Sequence, residues 1–304
     1  MKKVFIISVV LFVVNLTASA CPICGCGGGN LYMGLLPDFK SHFIGLRYHY
    51  AQYHSQLVDD PSQFATNYYN SIELWGGMRV GKKFQVMAFI PYYFNKQVDD
   101  DGTTTPKGLG DITVLGQYQV FHNVGATSGQ DVIDQQLWLG GGIKLPTGPF
   151  NADPMDSTTT IADINAQIGT GSVDFLLSGL YTLSIGNAGI NASVNYKINT
   201  INQEDYKYGN KLNANLIVYY QIPFKKSSIA PNLGFGYENI ATNSFQNTKV
   251  RYTGSNVKTV IAGIEFNFKK LGLGLNGQFP VSQSFAEGQT RLNFKGMMHI
   301  TYSI

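Results

Sequence analysis

The chain has 304 residues, of which only 13% are charged, while Gly (34), Phe (19) and Tyr (18) are abundant. A soluble domain carries roughly 25% charged residues, and a formal net charge of +3 gives no basis for a nucleic-acid or strongly charged partner. Mean hydropathy is −0.05, and after residue 20 no apolar run approaches the roughly 20 residues that a membrane-crossing helix needs.

The first twenty residues read as a secretory signal. Lys2 and Lys3 form its positive end, Val4 to Val14 its apolar core, and Ala18-Ser19-Ala20 an A-x-A cleavage site. Removing this segment takes away two lysines and no acids, which lowers the net charge from +3 to +1. The mature chain then begins Cys21-Pro-Ile-Cys24-Gly-Cys26-Gly-Gly-Gly-Asn30, and it holds all three cysteines. Three fates are open. Thiolates at this spacing converge on Zn or Cu(I), with a fourth ligand from elsewhere such as His42 or His49. Two of them can form a local disulfide in an oxidising compartment. Cys21 can carry lipid, although Ala18 stands where a lipidation signal has Leu. The rest of residues 21–41, with Leu31, Met33, Leu35 and Leu36, forms a short Cys/Gly-rich segment suited to plug a lumen.

From residue 42 onward, apolar and polar residues alternate with a period of two, the pattern of a strand with one apolar and one wet face. The stretch 187–198 is the clearest case. Ile190, Val194 and Tyr196 share one parity, and Asn191, Ser193, Asn195 and Lys197 the other. The same reading places strands at about 42–54, 68–80, 83–95, 109–122, 135–146, 171–185, 187–198, 207–222, 228–239, 255–268, 270–280 and 289–304. Alternate connections are short, at Gly81-Lys82-Lys83, Gly186-Asn187, Phe224-Lys225-Lys226-Ser227 and Lys269-Lys270, with a longer exception near 123–134, and three of them carry the lysine pairs Lys82-Lys83, Lys225-Lys226 and Lys269-Lys270. The intervening loops are long and carry the acids Asp59, Asp60, Asp99, Asp100, Asp101, Asp153, Asp156, Glu204 and Asp205. Short turns at one rim and long loops at the other are the arrangement of a transmembrane β-barrel. Lipid offers no hydrogen-bond partners, so only a closed sheet satisfies every backbone group. The expectation is an all-β, antiparallel outer-membrane barrel over 42–304 with about 12 strands (range 10–14) and both ends on the short-turn, periplasmic side.

In such a barrel the first strand closes against the last. Strands one, two and twelve then place Arg47, His49, Glu73, Arg79, Arg291, Lys295 and His299 on one luminal wall, with Lys197, Lys211, Asp111, Asp174 and Glu265 on other walls. Two readings follow. The patch is a path that attracts anions or polar organic acids, or it is a charge network that fills a narrow lumen, with Glu73 pairing Arg47 or Arg79. His42, His54 and His122 fall at strand edges, where solvation is expected. No G-x-S-x-G, HExxH or P-loop is present, and Gly169-Thr-Gly-Ser172 enters a strand rather than a helix, so nothing points to an enzyme.

Three spots, Gly108-Leu-Gly-Asp-Ile112, Leu145-Pro-Thr-Gly148 and Gly169-Thr-Gly-Ser-Val-Asp174, resemble the FadL-like outer-membrane transporters grouped under the meta-pathway of phenol degradation. The Cys-Pro-Ile-Cys-Gly-Cys start followed by Gly45-Leu-Arg-Tyr48 resembles a Bacteroidota-type branch of them. The resemblance implies a barrel in the outer-membrane lipid that passes small, often hydrophobic or aromatic solutes without a required cofactor. It assigns no binding residue. The alternative that the sequence supports is a Zn- or Cu-binding protein that uses Cys21, Cys24 and Cys26, with the barrel as anchor.

Overall fold

The computed structural model describes residues 42–56, 64–99, 102–126, 132–155, 164 and 166–304. The signal segment and the cysteine segment 21–41 lie outside the described residues. Twelve long strands form the barrel: β1 Phe43–Gln56, β2 Phe64–Val80, β3 Phe84–Phe94, β4 Thr113–Ala126, β5 Val132–Lys144 and β6 Asp174–Ile185. The second half is β7 Ala188–Ile198, β8 Lys211–Tyr220, β9 Ser227–Ile240, β10 Ser255–Phe268, β11 Leu271–Phe285 and β12 Thr290–Ser303. Each pairs antiparallel with its chain neighbours, and β1 pairs with β12 from Phe43↔Ser303 to Ser55↔Thr290, so the sheet closes.

The burial pattern follows the parity, with the faces inverted relative to a soluble protein. Ile44, Leu46, Leu177, Val194, Leu216, Phe235 and Leu275 all stand outward and exposed. Arg47, Glu73, Gln117, Asn195 and Glu265 point inward and are buried. An apolar exterior around a closed sheet is stable only in lipid. In β7 the expected faces hold: Val194 is 50% exposed and Asn195 is 4% exposed.

Two local expectations change. The connection near 123–134 is shorter than the pattern suggested, because β4 and β5 pair as far as Ala126↔Val132. In β12 the pairing with β1 runs Gln52↔Phe294 and then Tyr53↔Leu292, which leaves Asn293 without a partner in that ladder. One extra residue swaps the faces of everything beyond it. Leu292 is therefore buried with Tyr53, Val257 and Phe285, and Arg291 is exposed.

Beyond the long-loop ends of the barrel strands the described chain forms further short pairings. Lys96–Asp99 continues β3 beyond Asn95 and pairs with β2 and with Gly102–Thr104. Three two-residue strands, Tyr206–Lys207, Ser244–Phe245 and Thr248–Lys249, make a small separate sheet. Ala152, Ile164, Tyr206 and Tyr208 pack beside it, with Phe150, Phe245 and Val250 against them.

Candidate functional site

The described barrel interior divides into four levels. The lowest is a cavity of ≈ 540 Å³ at the short-turn rim, lined by polar groups such as Asp134, Gln136, Asn191, Gln221 and Asn267 together with Trp138, Leu180 and Tyr219. The next is an apolar waist. Trp75, Met87, Phe89, Leu115, Trp138 and Leu180 form one cluster, joined by Phe43. Ile217, Ile261 and Met297 form a second, with Tyr219 against it. Leu115 and Ile261 are 0% exposed, packed within these two clusters. Above it is a small space of ≈ 40 Å³ lined by charged groups, among them Arg47, Glu73, Asp111, Lys144, Lys197 and Lys211, and towards the long-loop ends of β1, β10, β11 and β12 lies a further apolar cluster of Tyr53, Val257, Phe285 and Leu292.

The predicted wall resolves into separate contacts. Arg47 lies in register with Glu73 on β2 and with His299 on β12. Its guanidinium forms a buried salt bridge to Glu73 and lies 4.2 Å from the Trp75 ring centre and 5.1 Å from that of Phe89. Glu73 thus pairs with Arg47 rather than Arg79. The bridge crosses one inter-strand spacing, while the flat guanidinium stacks on the waist aromatics. His299 Nε2 lies 2.9 Å from Glu265 Oε2. These residues belong to β12 and β10, and the intervening β11 presents Gly274 at that level. A Cβ there would lie 2.3 Å from His299 Nε2 and 2.4 Å from Glu265 Oε2, so only glycine leaves room for the pair.

The other predicted residues are dispersed. His49 faces Ser71 and Met297 across the two ladders and is half-buried. Arg79 donates to Gln119 Oε1 at 3.1 Å, with its guanidinium 5.5 Å from the Trp138 ring centre. Lys295 reaches Glu238 at 3.2 Å, and Lys211 reaches the same carboxylate at 3.2 Å. Lys211 and Lys295, expected on different walls, therefore converge on one acid from β8 and β12. Arg291, flipped outward by the bulge at Asn293, does not join the wall.

Parity reading missed a second charged centre. Lys144, the last residue of β5, is 3% exposed. Its Nζ lies 2.5 Å from Asp111 Oδ2 and 2.9 Å from Asp174 Oδ2. It also donates to the Ser172 carbonyl at 3.2 Å and to Thr170 Oγ1. Asp111 accepts from Gly148 N at 3.0 Å and from Thr170 N at 3.0 Å. Asp174 accepts from Ser172 Oγ at 2.8 Å and Thr200 N at 3.0 Å. Thr147 ties the remaining ends, accepting from Ile112 N at 2.9 Å and donating to the Gly110 carbonyl at 2.9 Å. Gly148 and Gly169 are in backbone contact, since a Cβ on Gly169 would lie 2.3 Å from the Gly148 carbonyl oxygen.

This knot gathers all three Gly-rich spots noted in the sequence. The Gly169-Thr-Gly-Ser172 turn is committed to it, with Thr170 and Ser172 bonded internally. Satisfied buried networks of this kind rigidify a fold. Here the network ties the two ends of the β5–β6 connection, at Gly148 and at Thr170–Ser172, to Asp111 and Lys144. No group of three or more His, Cys, Asp or Glu side chains able to hold a metal occurs among the described residues.

No known family profile and no curated protein matches the chain. Solved structures do. The outer membrane channel from Pseudomonas putida F1 is similar over 91% of this chain and 99% of its own, with a TM-score of 0.59 at 14% identity. The CymD monoaromatic hydrocarbon channel is matched with a TM-score of 0.40 at 9% identity, over 87% of this chain and 88% of its own. A Pseudomonas aeruginosa FadL homologue gives 0.35 at 7% identity, over 87% and 90%. The P. putida likeness is one of fold. With the lipid-type exterior and the closed ladder, it identifies this chain as an outer-membrane β-barrel.

Proposed function

We propose that the protein is a passive channel for small solutes, hydrophobic or aromatic ones included, moving between the periplasm and the outside. The observation that carries this reading is the layering of the lumen. A ≈ 540 Å³ vestibule at the short-turn rim ends on Trp138 and Leu180, and both belong to the aromatic waist. Among the described residues, side chains of the waist lie between the vestibule and the charged level above. Side-chain rotation is fast and cheap relative to unfolding a strand. Flat aromatic side chains offer stacking and apolar contact to a ring-bearing solute, with the polar vestibule on one side of the waist and charged groups on the other. The same fold serves as an outer membrane channel in P. putida F1, which agrees with this assignment.

The test is solute flux into liposomes reconstituted with the full mature chain. The channel reading predicts faster entry of a small neutral aromatic compound than into protein-free liposomes. Equal rates for aromatic and polar probes alike, with the protein folded, would remove it.

A further inference from the structure

The short-turn rim carries a feature that conduction does not use. Three hairpins there each expose a pair of lysines beside an exposed phenylalanine: Lys82-Lys83 before Phe84, Lys225-Lys226 after Phe224, and Lys269-Lys270 after Phe268. All six lysines are exposed, and none has a salt bridge among the described residues. They are not spread evenly. The lysine hairpins occupy the β8–β9, β10–β11 and β2–β3 connections, and the meeting of β12 and β1 lies between the last two. The β6–β7 turn, Gly186-Asn187, has none. Two of the hairpins touch, because Lys269 N donates to the Lys226 carbonyl at 3.2 Å. Lys225, Lys226, Lys269 and Lys270 thus form one concentrated basic patch.

The height of this patch is set by its neighbours. Tyr220, Ile222, Phe224 and Phe268 stand outward just above it, exposed as lipid-facing residues are. Aromatic side chains mark the boundary between hydrocarbon and headgroups. Lysines one residue beyond them extend their stems along that boundary and place the ammonium groups among the headgroups. Lys269 Nζ lies 5.4 Å from the Phe268 ring centre, and Lys83 Nζ lies 5.8 Å from that of Tyr118. Lys269 also adopts φ +52, a conformation that glycine or asparagine takes at less cost. A lysine at that position is not what the turn geometry alone would select.

We propose that this half-rim binds the phosphate headgroups of acidic phospholipids in the inner leaflet, with Lys225, Lys226, Lys269 and Lys270 as the main site and Lys82 and Lys83 as a second. The attraction of each lysine to an anionic headgroup layer is additive at this depth. Such binding orders the short-turn side of the barrel against the leaflet and fixes its height in the membrane.

Native mass spectrometry of the full mature protein, released from nanodiscs of equal phosphatidylglycerol and phosphatidylcholine, tests the proposal. The expected result is retention of phosphatidylglycerol over phosphatidylcholine by roughly tenfold, falling to near parity in a K225Q/K226Q/K269Q/K270Q variant. The corresponding four-arginine variant, which keeps the charges, should retain the preference. Heat-modifiable migration on gels establishes that each variant is folded. The proposal is overturned if the parent protein shows no preference between the two lipids. It is equally overturned if the folded glutamine variant retains phosphatidylglycerol as well as the parent does.

Discussion

Replacing Lys144 with Met probes the knot at the barrel mouth. The Nζ group bridges two carboxylates, at 2.5 Å from Asp111 and 2.9 Å from Asp174, and all three residues are at most 8% exposed. Removing one partner of a buried ion pair costs about 3–5 kcal/mol, because the charge left behind stays desolvated. Asp111 keeps its bonds from Gly148 N, Thr170 N and Thr170 Oγ1, and Asp174 keeps those from Ser172 Oγ and Thr200 N. Those bonds to charged acceptors hold the expected loss near the lower end, about 3 kcal/mol. The assay is reversible urea unfolding from lipid vesicles, followed by the fluorescence of the two tryptophans, Trp75 and Trp138, which both lie in the waist. A K144M/D111N/D174N variant removes the uncompensated charges and should recover most of the loss. A single variant within about 1 kcal/mol of the parent, or a triple variant as unstable as the single one, would refute the reasoning about buried charge.

Other perturbations test other parts of the account. Leu216→Arg puts a charge on the lipid face near the centre of β8, and should destabilise the barrel by about 2–4 kcal/mol in the same unfolding assay; an unchanged midpoint would mean that Leu216 does not face hydrocarbon. Gly274→Val fills the space between His299 and Glu265 and should cost about 1–3 kcal/mol. Adding His299→Gln to that variant should then cost nothing further, whereas full additivity would show that the pair survives the valine. For the N-terminal cysteines, metal analysis of the purified protein against a triple Cys→Ser variant of Cys21, Cys24 and Cys26 separates the readings; equal metal content in both removes the metal site.

The barrel was legible because its signal is simple. Lipid on one side and a filled polar lumen on the other impose a strict period of two, and Val194 and Asn195 in β7 follow it without exception. The closure of β1 on β12 followed from an even strand count with both ends at one rim. The parts that were not legible are those where the period breaks or where contacts cross the lumen. Asn293 adds one residue to β12, which turned Leu292 inward and Arg291 outward, and no local residue preference announces that bulge.

The charged contacts were harder still. Lys144 meets Asp111 and Asp174 only after the β4–β5 hairpin and the β5–β6 connection bring their ends together, so spacing along the chain says nothing about it. The three Gly-rich spots stood out as motifs, but their convergence on one knot is a property of the fold. The interior aromatics Trp75, Phe89 and Trp138 were hidden for a different reason. A reading that assigns every apolar residue to lipid passes over large rings on the inward parity. Lys144 was available to the same parity count, since it shares the inward face of β5 with Trp138.

Channel current is the most direct measure of the central claim. In planar bilayers containing the full mature protein, the layered lumen predicts small, infrequent openings, and a Trp75→Ala/Trp138→Ala variant should conduct several-fold more because two of the large rings packed in the waist are gone. A folded double variant that passes no more current than a bare bilayer would contradict the claim that the path runs through the waist.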